Sequence, residues 1–175
     1  MRIIVLSDKK YSYEDFYNKI SAPIKNSPLK YKIFLFVYRY LVYFTVLIYM
    51  ALLIYCLIQG LYHQFFNAVL TPAITFIVVT IVRRLINAPR PYKVYPIKPL
   101  IAKKKEGESF PSRHTLSITI IAMVGLYVCW PVGIVLWIMS VCMGISRVLA
   151  GVHFPRDVLA AAMISIVAGM GMFFW

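Results

Sequence analysis

Ser146-Arg147-Val148-Leu149-Ala150-Gly151-Val152-His153-Phe154-Pro155-Arg156-Asp157 lies between two strongly apolar segments. Beyond Glu108, Asp157 is the only acid in the sequence, and His153 is one of three histidines. A helix starting near Pro155 puts His153 at its mouth and Asp157 within about a turn, so carboxylate and imidazole can meet. Arg147 adds a cation just upstream. Charge at a membrane boundary is costly and needs a partner or a task. Three such groups in one short stretch indicate a task.

The surrounding composition says what kind of protein holds this stretch. Of 175 residues, 61% are hydrophobic, and the mean hydropathy is +0.76. A soluble domain is usually roughly 45–50% apolar. The apolar runs are long and lack the period-2 alternation of a barrel strand, which predicts an all-α polytopic bundle in lipid. One domain is expected at this length: a transmembrane domain over residues 33–175 behind an extramembrane tail over 1–32. Cys56, Cys129 and Cys142 all fall inside apolar runs, which disfavours a disulfide framework or a zinc site. The formal charge is +13, from 19 Lys and Arg against six acids. Because these cations flank apolar spans, anionic lipid headgroups and phosphate suit them better than nucleic acid. The tail shows no apolar region beside a cleavage site, so no signal peptide is expected.

In chain order, the tail predicts a short helix near 13–20, N-capped by Ser12 with Glu14 and Asp15 in its first turn. Tyr13, Phe16, Tyr17 and Ile20 make one apolar face. That face suits either the bilayer surface or the protein's own loops. Pro23 and Pro28 are expected to break the chain before the first span. Residues 40–82 carry no Lys, Arg, Asp or Glu; as helix they reach roughly 65 Å, about two crossings of a ~30 Å core. The expected spans are 33–58 and 64–82. Residues 83–114 form a long basic segment stiffened by Pro89, Pro91, Pro96 and Pro99, and loops of such length are often functional. Residues 115–145 are free of charge again, with a break at 129–133 separating spans near 113–129 and 132–147. A fifth span covers 158–175.

Three clusters carry chemistry: Arg83-x6-Arg90-Pro91, Pro111-Ser112-Arg113-His114, and Ser146-Arg147-x5-His153-x3-Asp157. The span order brings all three to one face of the membrane. Guanidinium groups, a hydroxyl and helix N-terminal amides together make a pocket for a phosphate-like dianion. Two histidines allow a nucleophile and a separate proton donor. One carboxylate can hold one imidazole in its tautomer. No second acid lies nearby, so a metal-free mechanism without a cofactor is expected.

Together the clusters resemble the signature of the type 2 phosphatidic acid phosphatase family, related in fold to the vanadium haloperoxidases. The family pattern is Lys-x6-Arg-Pro, Pro-Ser-Gly-His and Ser-Arg-x5-His-x3-Asp, and the resemblance covers roughly residues 64–175. Here Arg83 stands for the lysine and Arg113 for the glycine. The resemblance implies that His153 is a nucleophile forming a phosphohistidine. It implies that Asp157 orients His153 and that His114 protonates the leaving oxygen. Arg83, Arg90, Ser112, the Arg113 amide and Arg147 would hold the phosphate.

A site at the bilayer surface points to a lipid phosphate: phosphatidic acid, phosphatidylglycerophosphate, a polyprenyl pyrophosphate or a glycolipid phosphate. Alternatives are a lipid phosphotransferase using the same phosphohistidine and a non-catalytic binder of anionic lipid. An integral protein of the cell membrane is expected. The positive-inside rule places the site's face in the cytoplasm; the family resemblance implies the opposite face. The oligomeric state stays open.

Overall fold

A computed structural model describes residues 13–174. Among these residues the chain is helical throughout its ordered elements: α1 (Tyr13–Lys25), α2 (Pro28–Ile58), α3 (Tyr62–Ile86), α4 (Pro91–Val94), α5 (Arg113–Val128), α6 (Trp130–Leu149) and α7 (Pro155–Met170). A 3₁₀ turn at Gly171–Phe173 ends the described chain.

The expected helices are present, with boundaries set by local chemistry. Ser27 caps α2: its Oγ accepts from the Lys30 amide at 3.4 Å, and Pro28 occupies the first turn, so α2 starts before residue 33. Pro23 does not break the chain as expected. It sits inside α1, which runs on to Lys25, because a proline near a helix end removes one backbone bond without stopping the last turn. The expected cap Ser12 lies outside the described residues. α3 runs past residue 82 to Ile86, where Asn87 in the left-handed region closes it with its amide on the Arg83 carbonyl. Arg83 therefore belongs to the last turn of a spanning helix. Cys129 alone separates α5 from α6. Gly133 makes this tight return possible, since a Cβ there would lie 2.4 Å from the Leu126 amide nitrogen.

Four segments are long and apolar enough to cross a membrane: Pro28–Ile58, Tyr62–Val94, Trp130–Leu149 and Pro155–Phe173. The protein is an integral membrane protein. The fifth expected span, α5, is shorter, at 16 residues, or about 24 Å. It is also the centre of the bundle and touches α2, α3, α6 and α7. Residues Leu116, Ile118, Ile120 and Val124 of α5 are buried against these neighbours. The surrounding helices instead expose Leu47, Ile54, Ile74, Ile77, Ile138, Leu159 and Val167, the surface that a bilayer covers. Hydroxyls join helices inside the bundle. Thr119 Oγ1 lies 2.6 Å from Ser140 Oγ, and Ser165 Oγ donates to the Leu116 carbonyl at 3.0 Å.

α3 ends, α5 begins, α6 ends and α7 begins at one end of this bundle, and α1 and α4 lie there too. The long basic segment between α3 and α5 folds over the same end, where Ile101 N donates to the Ala150 carbonyl and Arg90 N to the Glu106 carbonyl.

Candidate active site

The site starts from the local chemistry of α7. Pro155 opens the helix and Asp157 occupies its third position. The carboxylate reaches back, and its Oδ2 accepts from the Phe154 amide at 3.0 Å. This satisfies an end amide and places negative charge at the positive end of the helix dipole. His153 precedes this turn, and its Nδ1 lies 3.6 Å from Asp157 Oδ2, just beyond hydrogen-bond range. Asp157 is fully buried and His153 is 3% exposed. Burial pushes the His153 imidazole below its ordinary pKa, while Asp157 pulls the other way. The imidazole is thus neutral at pH 7, the form that has a free lone pair.

Ser109 was not among the residues singled out from the sequence. It is fully buried, donates from Oγ to Asp157 Oδ2 at 2.5 Å, and lies 3.5 Å from His153 Nδ1. Ser109 and Ser112 are the two serines of the 83–114 segment. That is too weak a signal to have separated the Asp157 partner from its neighbour. Asp157 Oδ1 makes no hydrogen bond; the Arg156 Nε is 3.7 Å away.

Arg83, Arg90, Lys103, Lys105, Arg113, His114, Arg147, Val152 and His153 line a cavity of about 160 Å³. The three clusters thus converge on one pocket, and it is smaller than the roughly 300–1,000 Å³ typical of sites for drug-sized ligands. It fits a headgroup rather than a whole lipid.

The arginines differ in how they are held. Arg83 donates from Nη1 to the Pro111 carbonyl and from Nη2 to the Glu108 carbonyl, with Ser109 O a further 3.5 Å contact. Its guanidinium thereby clamps the strand of chain leading into α5, and its Nε is left without a protein partner. Arg90 donates from Nε to Gly107 O at 3.1 Å and from Nη1 to Val152 O at 3.4 Å, tying the basic segment to the loop that carries His153. The Arg147 guanidinium lies 4.1 Å from the Tyr38 ring centre and donates from Nη2 to Tyr38 O at 3.4 Å. Tyr38 of α2 is a second supporting residue missed in the sequence. Arg113 opens α5 at the pocket wall, and Ser112 does not reach the lining. The Ser112 hydroxyl accepts from Thr115 Oγ1 at 3.1 Å, and its amide donates to the Asp157 carbonyl at 3.0 Å. Ser112 thereby joins α5 to α7.

A larger groove of about 310 Å³ opens beside this pocket between α2, α3 and α5. Val42, Val46, Phe76, Ile118 and Ile121 give it apolar walls, and Arg113 and His114 line both spaces.

The buried cations and the His–Asp pair thus gather at one end of a membrane helix bundle. Residues 64–175 match the PAP2 superfamily, and the chain belongs to that family. It is 33% identical over 85 residues to undecaprenyl-diphosphatase BcrC of Bacillus subtilis (strain 168), which covers 49% of this chain and 44% of that protein. It is 28% identical over 109 residues to bacitracin transport permease protein BcrC of Bacillus licheniformis, covering 60% and 54%. The chain spans about half the length of the curated relatives it matches. Its fold is shared with Aquifex aeolicus LpxE at a TM-score of 0.72 and 23% identity, over 96% of this chain and 99% of that one.

Proposed function

We propose that this protein is a lipid phosphate phosphatase of the cell membrane that works through a phosphohistidine on His153. The observation that carries the reading is the buried His153–Asp157–Ser109 arrangement opening on a cavity walled by cations. The Nδ1 side of His153 faces Asp157, which leaves Nε2 for phosphorus. In the first step Nε2 attacks phosphorus, the bond from phosphorus to the leaving oxygen breaks, and His114 gives that oxygen a proton. In the second step His114 takes a proton from water, the water oxygen attacks phosphorus, and the phosphorus–nitrogen bond breaks to release phosphate. Arg90, Arg147 and the Arg83 Nε offset the charge on the transferring group.

Two features favour a lipid diphosphate over a monoester. Arg113 and Lys103 add two cations to the pocket beyond the three buried arginines, more than one phosphate needs, while Lys105 is paired with Glu108 at 2.8 Å. The Bacillus subtilis relative is an undecaprenyl-diphosphatase. The apolar groove that shares Arg113 and His114 with the pocket offers the lipid's tail a place within the bilayer. The proposed route is metal-free, because the six cations facing the pocket repel a divalent ion and no carboxylate among the described residues lines it.

Purified protein assayed for phosphate release over a panel of lipid phosphates tests this. Release from a polyprenyl diphosphate at a higher kcat/KM than from phosphatidic acid is expected, and EDTA leaves it unchanged. No release from any lipid of the panel overturns the activity. Loss in EDTA that Mg²⁺ restores overturns the metal-free route.

A further inference from the structure

We propose that α1 is a latch on the loop that carries His153, with Tyr17 as its positioning residue. The inference rests on His153 being the nucleophile. α1 lies outside residues 64–175, the part matched to the family.

His153 sits in the short turn between α6 and α7, where few helical bonds hold the backbone. α1 touches this turn on both sides of the histidine. On the upstream side, Tyr17 is fully buried. Its hydroxyl donates to the Leu149 carbonyl at 3.1 Å and accepts from the Leu100 amide at 3.0 Å. One oxygen thus ties the end of α6 to the basic segment. Gly151 lies directly against it. The glycine has φ +74, and a Cβ there would come within 2.8 Å of the Tyr17 hydroxyl and 3.0 Å of the ring. Both the left-handed backbone and the close approach require glycine two residues before His153. Burial raises the Tyr17 phenol above its ordinary pKa, which keeps it a donor. On the downstream side, the Tyr13 ring packs 4.9 Å from Phe154 and 5.0 Å from Tyr95. Phe154 is the residue whose amide holds Asp157 Oδ2.

The turn is therefore gripped at Leu149 and Gly151 and again at Phe154, with His153 between. Proper placement of a nucleophile matters steeply, since an error of about 1 Å can cost about 10²-fold in rate. Nothing in α1 lines the pocket, so Tyr17 acts through the loop and not on the substrate.

The test uses full-length protein in detergent and the Tyr17→Phe variant, which keeps the ring and removes both hydrogen bonds. We expect kcat on a lipid diphosphate to fall about tenfold with KM within about twofold. Amide hydrogen exchange across 149–154 is expected to quicken about tenfold, with α5 unchanged. In an Asp157→Asn background, Tyr17→Phe is expected to cost less than about twofold, because both residues act through His153. Unchanged kcat and unchanged exchange overturn the latch, as does full additivity with Asp157→Asn. A wild type that releases no phosphate overturns the proposed activity instead. In that case exchange across 149–154 alone decides whether Tyr17 holds the loop.

Discussion

Histidines lie near helix starts at both ends of the bundle, one at the first end and two at the second, yet the two ends differ in kind. At one end His63 of α3 lies 3.4 Å from the Tyr127 hydroxyl, and Asn67 donates to the same oxygen at 3.4 Å. His63 is exposed, and no Lys or Arg lies near it in sequence. At the other end His114 and His153 share a pocket with six cations, and His153 is buried beside a carboxylate. A histidine near a helix start therefore says little by itself. What distinguishes the second end is that several helix ends converge there and bring groups that are costly to bury into contact with one another.

Substitutions along this contrast should show steeply graded effects. His153→Ala removes the nucleophile, and phosphate release should fall by at least about 10³-fold while the variant keeps wild-type behaviour in size-exclusion chromatography. Near-wild-type turnover would end the phosphohistidine route. Asp157→Asn should cost about 10²-fold in kcat, because the imidazole loses its orienting carboxylate. The same variant sharpens the pH dependence. Burial holds the His153 pKa below its ordinary value of about 6.5 and Asp157 opposes that shift. The acid limb of kcat/KM therefore lies below about pH 6.5 in the wild type, where the neutral imidazole becomes protonated. It should move lower still in Asp157→Asn, and an upward move would contradict the assigned causes. Arg113→Gly installs the family's own residue and removes an outer cation. It should raise KM for a lipid diphosphate about tenfold and change KM for a monophosphate lipid less than about twofold. Equal effects on both substrates would remove Arg113 from recognition of a second phosphate. His63→Ala, at the opposite end, should change kcat/KM less than about twofold; a large loss would mean that the two ends are coupled.

Much of this was legible in the chain before any contact was known. The uncharged runs 40–82 and 115–145 give the spanning helices, since each must satisfy its own backbone in lipid. The spacing of His153 and Asp157 is local, and Pro155 marks where their helix starts. Local pattern was less reliable at helix ends. Pro23, a chain-breaker by its residue type, lies inside α1, and α3 carries Arg83 inside its last turn. The contacts of Arg83 and Ser112 were not legible for a different reason. The residue types suit phosphate, but the folded chain gives most of the Arg83 donors to the carbonyls of residues 108–111 and uses Ser112 to join α5 to α7.

The sequence by itself determined the helical membrane architecture, the common face of the three clusters and the His153–Asp157 pair. These follow from hydrophobic length, span order and spacing within one turn, all short-range or additive along the chain. Only the tertiary structure decided that Ser109 supports Asp157, that Tyr38 carries Arg147 and that Tyr17 grips the turn before His153. Each of these joins residues far apart in the chain, and a lone serine or tyrosine has no spacing from which its partner can be read.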